Sequence, residues 1–265
     1  MPILLPIDLP RITESQMREI DYQVMGYAFS IHNELGRLCD EQVYQSDFVQ
    51  RIYEASLCPV YRELPVVTAF RTFSKTFKLD CIVAGGSIYE LKTVARLNRN
   101  HFAQLLNYLL LTNTTRGKLI NFRPKRVQTR FVNTSLTLQE RRRFSIQTSD
   151  WQGNDSLVDL VDDLLSDWGT GLATSLYRQA ILHFLGGSEN LYRLVPMSRG
   201  GHSLGNQHFY LIDDISAFFV TTMNQAKRQQ HCEHLVSLLR HSPIRYGHWV
   251  NIDLHAVQFT TLVST

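Results

Sequence analysis

The feature that most constrains this chain is a run in its first half where two apolar stretches carry charged residues at nearby positions. The run extends from Phe77 to Lys92, with Asp80 in the first apolar stretch and Glu90-Leu-Lys92 closing the second. Gly85-Gly86 lies between the stretches and predicts a tight turn. We therefore predict two adjacent strands on which Asp80 and Glu90 are hairpin partners.

This combination of charges has a definite chemical use. Two carboxylates can hold a divalent cation such as Mg²⁺, which prefers oxygen ligands and keeps several waters, and an ammonium group can orient one of those waters. The pattern thus predicts metal-assisted hydrolysis of a phosphodiester bond. A surface hairpin with a solvated Glu-Lys pair would have the same sequence, so the motif alone leaves both interpretations open.

A helix is predicted from about His101 to Leu111, because apolar residues recur there at helical spacing. Gln104 and Tyr108 lie one turn apart beside the apolar stripe, on the face shared with His101. Both side chains can therefore project toward the strand ends that carry the two carboxylates. The alternative is a hydrogen-bonded pair that only fastens the helix to the sheet.

Taken together, these motifs resemble the GxxExxY family of the PD-(D/E)XK nuclease superfamily over about residues 20 to 133. The matching segments are Gly26, Ile31–Gly36, Glu41-x-x-Tyr44, Leu64–Val66, Leu79–Asp80, Tyr89–Lys92, Ala103–Leu109 and Leu119–Phe122. The glycine that gives the motif its name is Leu38 here, and we expect Gly36 to supply the turn before the helix instead.

The resemblance implies an α/β fold, the restriction-endonuclease-like mixed sheet flanked by helices, and a Mg²⁺ or Mn²⁺ cofactor. It implies that Asp80 is the central metal ligand and that Glu90 and the Leu91 carbonyl complete the protein ligands. Glu41 would approach the metal directly or through a water. Considered without the resemblance, Glu41 is equally well an exposed helix carboxylate.

The remaining implied roles belong to catalysis. Lys92 would position the attacking water and stabilise negative charge on the phosphorane. Gln104 and Tyr108 correspond to the helix motif of the RecB-like branch of these nucleases and would belong to the same site.

Charge is distributed unevenly along the chain. Residues 1–133 carry a net charge of +5, whereas residues 151–265 carry −3. The basic residues around the predicted site are Arg96, Arg99, Arg116, Lys118, Arg123, Lys125, Arg126 and Arg130. Such clustering favours a polyanionic partner. Together with the nuclease resemblance we expect nucleic acid as the partner, with DNA favoured. Charged residues that protect strand edges would give a similar pattern.

The chain contains no apolar run of membrane-spanning length, and its first residues lack the pattern of a signal peptide. Its four cysteines are scattered without Cys-x-x-Cys spacing and are interpreted as reduced thiols. We therefore expect a cytoplasmic protein with no membrane partner.

The second half of the chain repeats parts of the first in the same order. Gly169–Tyr177 resembles Gly36–Tyr44, the segment from Cys232 resembles the helix at Phe102, and Trp249–Ile252 resembles Leu119–Phe122. We predict two tandem similar lobes: a nuclease-like domain at 1–133, a linker at 134–156 and a degenerate copy at 157–265.

The second copy is predicted to lack the chemistry of the first. At the positions aligned with the first-half site residues it carries Thr174, Val220, Thr222, His234 and Leu238. The expected counterpart of Asp80 lies near Gln207 to Tyr210, where no carboxylate occurs.

The sequence thus favours a metal-dependent nuclease with one active centre per chain. The alternative is a non-catalytic scaffold on the same fold that binds nucleic acid or a protein. A homodimer or a protein partner is compatible with either interpretation.

Overall fold

The computed structural model describes residues 3–264, which form two compact units. The first unit extends to Leu138 and the second begins at Gln139. The outermost residues of the two predicted domains, 1, 2 and 265, lie outside the described part of the chain. Among residues 3–264, no helix is both long and apolar enough to cross a membrane.

The first unit is built on a six-stranded sheet. Its strands, in their order across the sheet, are β1 (Ile3–Leu4), β2 (Val60–Phe70), β3 (Phe73–Val83), β4 (Ser87–Lys92), β5 (Arg116–Asn121) and β6 (Gln128–Asn133). Its helices are α1 (Glu14–Leu35), α2 (Glu41–Glu54) and α3 (Arg99–Thr112). Strands β4 and β5 are parallel and the other neighbours antiparallel. The predicted mixed sheet flanked by helices is therefore confirmed.

Alternation along β4 decides which side chains enter the core. Tyr89 and Leu91 belong to an apolar cluster with α1 and α2, and the ring of Phe48 lies 6.1 Å from that of Tyr89. Because successive side chains of a strand point to opposite faces, Glu90 and Lys92 lie on the other face. Both are buried there, so β4 is enclosed on both sides.

The second unit has a four-stranded sheet and a separate two-stranded hairpin. The sheet has the order β10 (Ser216–Thr221), β11 (Tyr246–Ile252), β12 (Ala256–Val263) and β7 (Ser145–Asp150), and the hairpin pairs β8 (Tyr192–Arg199) with β9 (His202–Tyr210). The helices are α4 (Leu138–Arg141) at the boundary, α5 (Asp155–Trp168), α6 (Thr174–Phe184), α7 (Ser188–Leu191) and α8 (Gln225–Arg240). Strands β10 and β11 are parallel, with α8 between them in sequence, and β12 is antiparallel to β11, the same sequence of elements as β4, α3, β5 and β6.

Residues 134–156 are not the linker that the sequence predicted. Residues 145–150 form β7, in which Ile146 pairs with Val257 of β12. Arg141 is buried, and its guanidinium donates a 2.9 Å hydrogen bond to the carbonyl of Thr170. The segment resembled a linker because β7 is an edge strand whose other side chains are exposed, so it carries no apolar alternation.

A tyrosine fixes the loop before the second helix in the same way in both units. The hydroxyl of Tyr44 donates to the carbonyl of Gly36 at 2.8 Å, and that of Tyr177 donates to the carbonyl of Gly169 at 2.6 Å. Each hydroxyl also accepts a hydrogen bond from a backbone N–H of the loop between the two residues.

An asparagine at the end of a central parallel strand is also common to both units. The side chain of Asn121 donates to the carbonyl of Val94 at 2.8 Å and accepts from its N–H at 3.0 Å. Asn251 makes both bonds to Met223, each at 3.0 Å. We call this two-bond contact the asparagine clamp.

The clamp aligns the strands of the two units residue by residue. Lys92 and Thr221 each lie opposite the asparagine of the clamp in the neighbouring parallel strand. Thr221 therefore corresponds to Lys92 and, two residues earlier, Phe219 corresponds to Glu90.

The predicted equivalence of Val220 and Thr222 with Glu90 and Lys92 is thus displaced by one residue. The sequence comparison matched the helices of the two halves and then applied the same difference in residue number to the preceding strands. It allowed no gap in the loop between strand and helix. The stretch from Thr221 to Asn251 is one residue longer than the stretch from Lys92 to Asn121, so the offset that aligns the two asparagines fails on the strand.

Candidate active site

Four charged side chains meet beside the end of β4. The Nζ atom of Lys92 lies 2.6 Å from Oε1 of Glu90, 3.8 Å from Oδ2 of Asp80 and 3.9 Å from Oε1 of Glu41. The structure therefore brings together side chains from α2, β3 and β4 that are as far as 51 positions apart in sequence. Three carboxylates surround one ammonium group, an arrangement that attracts further positive charge.

The hairpin places the two strand carboxylates opposite each other. Cys81 pairs with Tyr89, so the preceding Asp80 and the following Glu90 are cross-strand neighbours. Oδ2 of Asp80 accepts a 2.8 Å hydrogen bond from the backbone N–H of Leu91. This bond fixes the Asp80 side chain and holds the Leu91 peptide beside it.

Gln45 is a residue of this site that the sequence analysis missed. It lies one turn after Glu41 on α2 and is almost fully buried, and its Nε2 atom donates a 3.0 Å hydrogen bond to the carbonyl of Asp80. Arg62 donates to its Oε1 atom at 3.3 Å. The signal in the sequence was that Gln45, one position after Tyr44, is a polar residue on the apolar face of α2. A polar side chain is rarely buried on such a face unless it has a hydrogen-bond partner.

Gln104 and Tyr108 form the pair that the helix pattern predicted. Nε2 of Gln104 donates to the Tyr108 hydroxyl at 3.0 Å, and Tyr108 is buried. Burial raises the pKa of Tyr108, and the nearby negative charge of Glu90 raises it further. The pair therefore lies close enough to Glu90 for electrostatic contact, and it also ties together two successive turns of α3.

Burial and crowding shift the proton affinities of the carboxylates. Burial is the largest cause that raises the pKa of Asp80 to about 6, against the opposing effect of Lys92. Burial, followed by the charge of Asp80, raises the pKa of Glu90 to about 8. Burial disfavours the charged form of Lys92, but Glu90 and Asp80 outweigh it and raise the Lys92 pKa.

These shifts set how the site responds to pH. A bound divalent cation requires both carboxylates in their ionised form, so it competes with protons for Asp80 and Glu90. Metal affinity should therefore increase as the pH rises through about 6 and about 8, the raised pKa values of the two groups.

The donor set is compatible with a Mg²⁺ or Mn²⁺ ion. Oε2 of Glu90 is buried and has no hydrogen-bond partner among the described residues, which is costly for a carboxylate oxygen. An oxygen-seeking divalent cation would satisfy it. Within residues 3–264, no group of three or more His, Cys, Asp or Glu is already arranged as a metal centre. In the present arrangement Lys92 supplies the positive charge among the carboxylates.

Comparison with protein families agrees with this geometry. Residues 18–132 match the PD-(D/E)XK nuclease superfamily. The matched segment covers less than half of the chain but contains every predicted site residue, from Glu41 to Tyr108. No curated protein and no solved structure gives a significant match. A segment that matches this superfamily and carries this cluster of charges points to a nuclease-type function.

The second unit has an aromatic pair at the positions that correspond to Asp80 and Glu90. After β9, Leu211 and Ala217 form an antiparallel bridge. Its register places Phe209 opposite Phe219, just as the β3–β4 register places Asp80 opposite Glu90. The two rings are 6.3 Å apart in an edge-to-face arrangement, and both belong to an apolar cluster. These positions contribute packing and offer no metal ligand.

Proposed function

We propose that this chain is a metal-dependent nuclease of the GxxExxY type that hydrolyses phosphodiester bonds of nucleic acid, with DNA favoured as substrate. The observation that supports it most is the convergence of Glu41, Asp80, Glu90 and Lys92 around a buried carboxylate oxygen that has no partner among the described residues. The superfamily match over the same segment supports the reaction class.

Asp80 and Glu90 are the proposed ligands of a Mg²⁺ or Mn²⁺ ion, together with the Leu91 carbonyl and, directly or through a water, Glu41. The ion, when bound, supplies a Lewis acid for the phosphate and acidifies a water. Asp80 is oriented by two hydrogen bonds. The N–H of Leu91 donates to its side chain, and Gln45 donates to its backbone carbonyl.

Lys92 is the proposed group that acts on the reacting atoms. Its ammonium group is held at 2.6 Å by Glu90 and faces the other two carboxylates, so it is positioned before substrate arrives. From there it can orient the attacking water and stabilise negative charge that develops on the phosphate. Gln104 and Tyr108 are proposed to orient substrate or water beside Glu90.

A non-catalytic scaffold on this fold is supported less well. Burying two carboxylates with raised pKa values costs stability, and binding alone does not require it. The second unit has two phenylalanines at the corresponding positions. The ionisable groups of the first unit are therefore better explained by chemistry than by architecture.

The reaction can be tested directly on the purified chain. We expect labelled single- or double-stranded DNA to be cleaved with Mg²⁺ or Mn²⁺, and cleavage to stop when a chelator is added. RNA oligonucleotides of the same sequences test the DNA preference. If all four nucleic-acid substrates remain uncleaved with both metals, the proposed function is contradicted.

We further infer that residues 139–265 are a degenerate copy of the first unit, a pseudo-nuclease. The repeated order of elements, the two tyrosine contacts and the two asparagine clamps support this duplication. The counterpart of Glu41 is Thr174, whose hydroxyl is hydrogen-bonded to that of Thr222. One active centre per chain is the consequence.

With duplex DNA as substrate, a monomer is expected to nick supercoiled plasmid before any linear product appears. One centre cuts one strand per encounter, and the second unit offers no metal ligand at the Phe209–Phe219 pair. Thr174→Ala and Thr222→Ala should leave the nicking rate within about twofold, because neither hydroxyl takes part in chemistry. Gel electrophoresis over time measures both.

Linear product that appears as early as the nicked circle would argue for two centres acting together. Repeating the assay over a range of protein concentrations then separates a homodimer, whose linear product depends on concentration, from a second active centre within the chain. The latter outcome would overturn the pseudo-nuclease assignment.

A further inference from the structure

A groove opens directly after β4. It is lined by residues 94–99 with His101 and Phe102, and it has a volume of about 710 Å³. Its first lining residue is only two positions after Lys92, so the groove begins beside the candidate active site.

Two arginines of this groove have no partner in the part of the chain that the structure describes. Arg96 and Arg99 are exposed, and neither makes an ion pair or a side-chain hydrogen bond among residues 3–264. Other cations of the first unit are already paired: Arg51 with Glu34, Arg116 with Glu14 and Lys118 with Asp21. Arg96 and Arg99 therefore keep their charges available to a ligand.

The loop that carries Arg96 is held in place by the neighbouring strands. The asparagine clamp binds it at Val94, and Oε1 of Gln128 accepts a 3.1 Å hydrogen bond from the N–H of Leu97. Nε of Arg123 donates to the carbonyl of Thr93 at 3.2 Å. A loop fixed in this way presents its charges with little ordering cost on binding.

The turn after β5 adds two more cations at the same edge. Strands β4 and β5 are parallel, so their carboxyl ends meet at one edge of the sheet. The turn that follows β5 carries Lys125 and Arg126, both exposed and without a hydrogen bond or ion pair among the described residues. Residues 93–133 contain no Asp or Glu to neutralise this edge.

The second unit shows that the fold does not need these charges. It has the same asparagine clamp at Met223, but residues 222–226 contain no Lys or Arg. Its turn after β11, residues 253–255, has Asp253 and again no Lys or Arg. The loop after β10 and the turn after β11 thus lack the cations of the first unit; the first basic residues after β10 are Lys227 and Arg228 of α8, and Arg228 donates a hydrogen bond to Thr260.

We propose that this groove binds the phosphodiester backbone of the nucleic-acid strand next to the bond that is cut, with Arg96 and Arg99 as phosphate contacts and Lys125 and Arg126 extending the path. The placement of the scissile bond rests on the proposed function. The binding surface itself stands on the unpaired cations and the clamped loop.

The test uses the full chain, a fluorescent single-stranded oligonucleotide and the matching duplex, with chelator present so that neither is cleaved. Arg96→Gln/Arg99→Gln is compared with Arg18→Gln/Arg71→Gln, which removes the same charge from two exposed positions outside the groove. Fluorescence anisotropy from low to moderate salt gives Kd and its salt dependence, and thermal denaturation checks folding.

The groove variant is expected to bind at least tenfold more weakly than the control at low salt. The slope of log Kd against log salt should fall by about 1.8 for duplex or about 1.4 for single strands, since two phosphate contacts are lost. The substrate with the larger change identifies the form that lies in the groove.

Equal affinity and equal salt slope in the two double variants would overturn the groove assignment, even if the chain cleaves DNA. Conversely, a chain that loses binding in the groove variant but cleaves nothing with any metal would contradict the proposed nuclease and leave the groove standing. The two failures are therefore distinguishable.

Discussion

Replacing Asp80 by Asn or Glu90 by Gln is expected to abolish detectable cleavage while the protein remains folded. Each change removes one charge from the proposed metal ligands and preserves shape, so the loss should be on the order of a thousandfold or more. Single-turnover cleavage with saturating Mg²⁺ measures it. The matched control is Glu54→Gln, which converts an exposed carboxylate on the same helix as Glu41 to a carboxamide. This variant should retain full activity.

The same variants have a second readout in stability. The pKa values of Asp80 and Glu90 are raised in the folded chain to about 6 and about 8, so the folded state binds more protons than the unfolded state above about pH 4. Without metal, stability should consequently fall as the pH rises from about 4 to about 8. Glu90→Gln should flatten that decline, and its Tm near pH 8 should equal or exceed that of the wild type. Wild-type activity in either amide variant would remove these residues from the metal site.

Lys92→Met is expected to lower kcat by two to three orders of magnitude with little change in substrate affinity. Lys92 is proposed to act on charge that develops during the reaction, so its removal should raise the barrier more than it weakens ground-state binding. Folding should survive, because Glu90 with its raised pKa can take up a proton when its partner is removed. Lys78→Met, at an exposed lysine that pairs with Glu63, is the control.

The opposite pattern would be equally informative. A large increase in Kd with kcat unchanged would make Lys92 a simple phosphate contact. Separate measurements of binding with chelator and of single-turnover rate with Mg²⁺ distinguish the two cases.

The sequence was most predictive where local pattern and chemistry agree. The Gly85-Gly86 turn and the apolar stretches around it fix the β3–β4 hairpin, and helical spacing places Gln104 and Tyr108 on one side of α3. Asp80 and Glu90 were accessible to prediction for this reason, whereas Glu41 was placed at the site only by the family resemblance. Their burial and raised pKa values were not, since these depend on how the helices close over the sheet.

Other features had no local signal. Strand β7 is stabilised by pairing with β12, more than a hundred residues away, and its own side chains are mostly exposed. The bond from Gln45 to Asp80 joins two elements that no spacing rule connects. The one-residue shift between β4 and β10 became visible only through the pairing of each strand with its neighbour.

The Phe209–Phe219 pair has a consequence for how the two halves respond to ions. With the metal site proposed above, binding of a divalent cation to the first unit would link its stability to the concentration of free divalent metal. In the second unit the corresponding positions attract each other through ring contacts and are indifferent to that concentration. The same chain would therefore combine a unit whose stability follows the concentration of free magnesium with a unit whose Phe209–Phe219 contact does not depend on it.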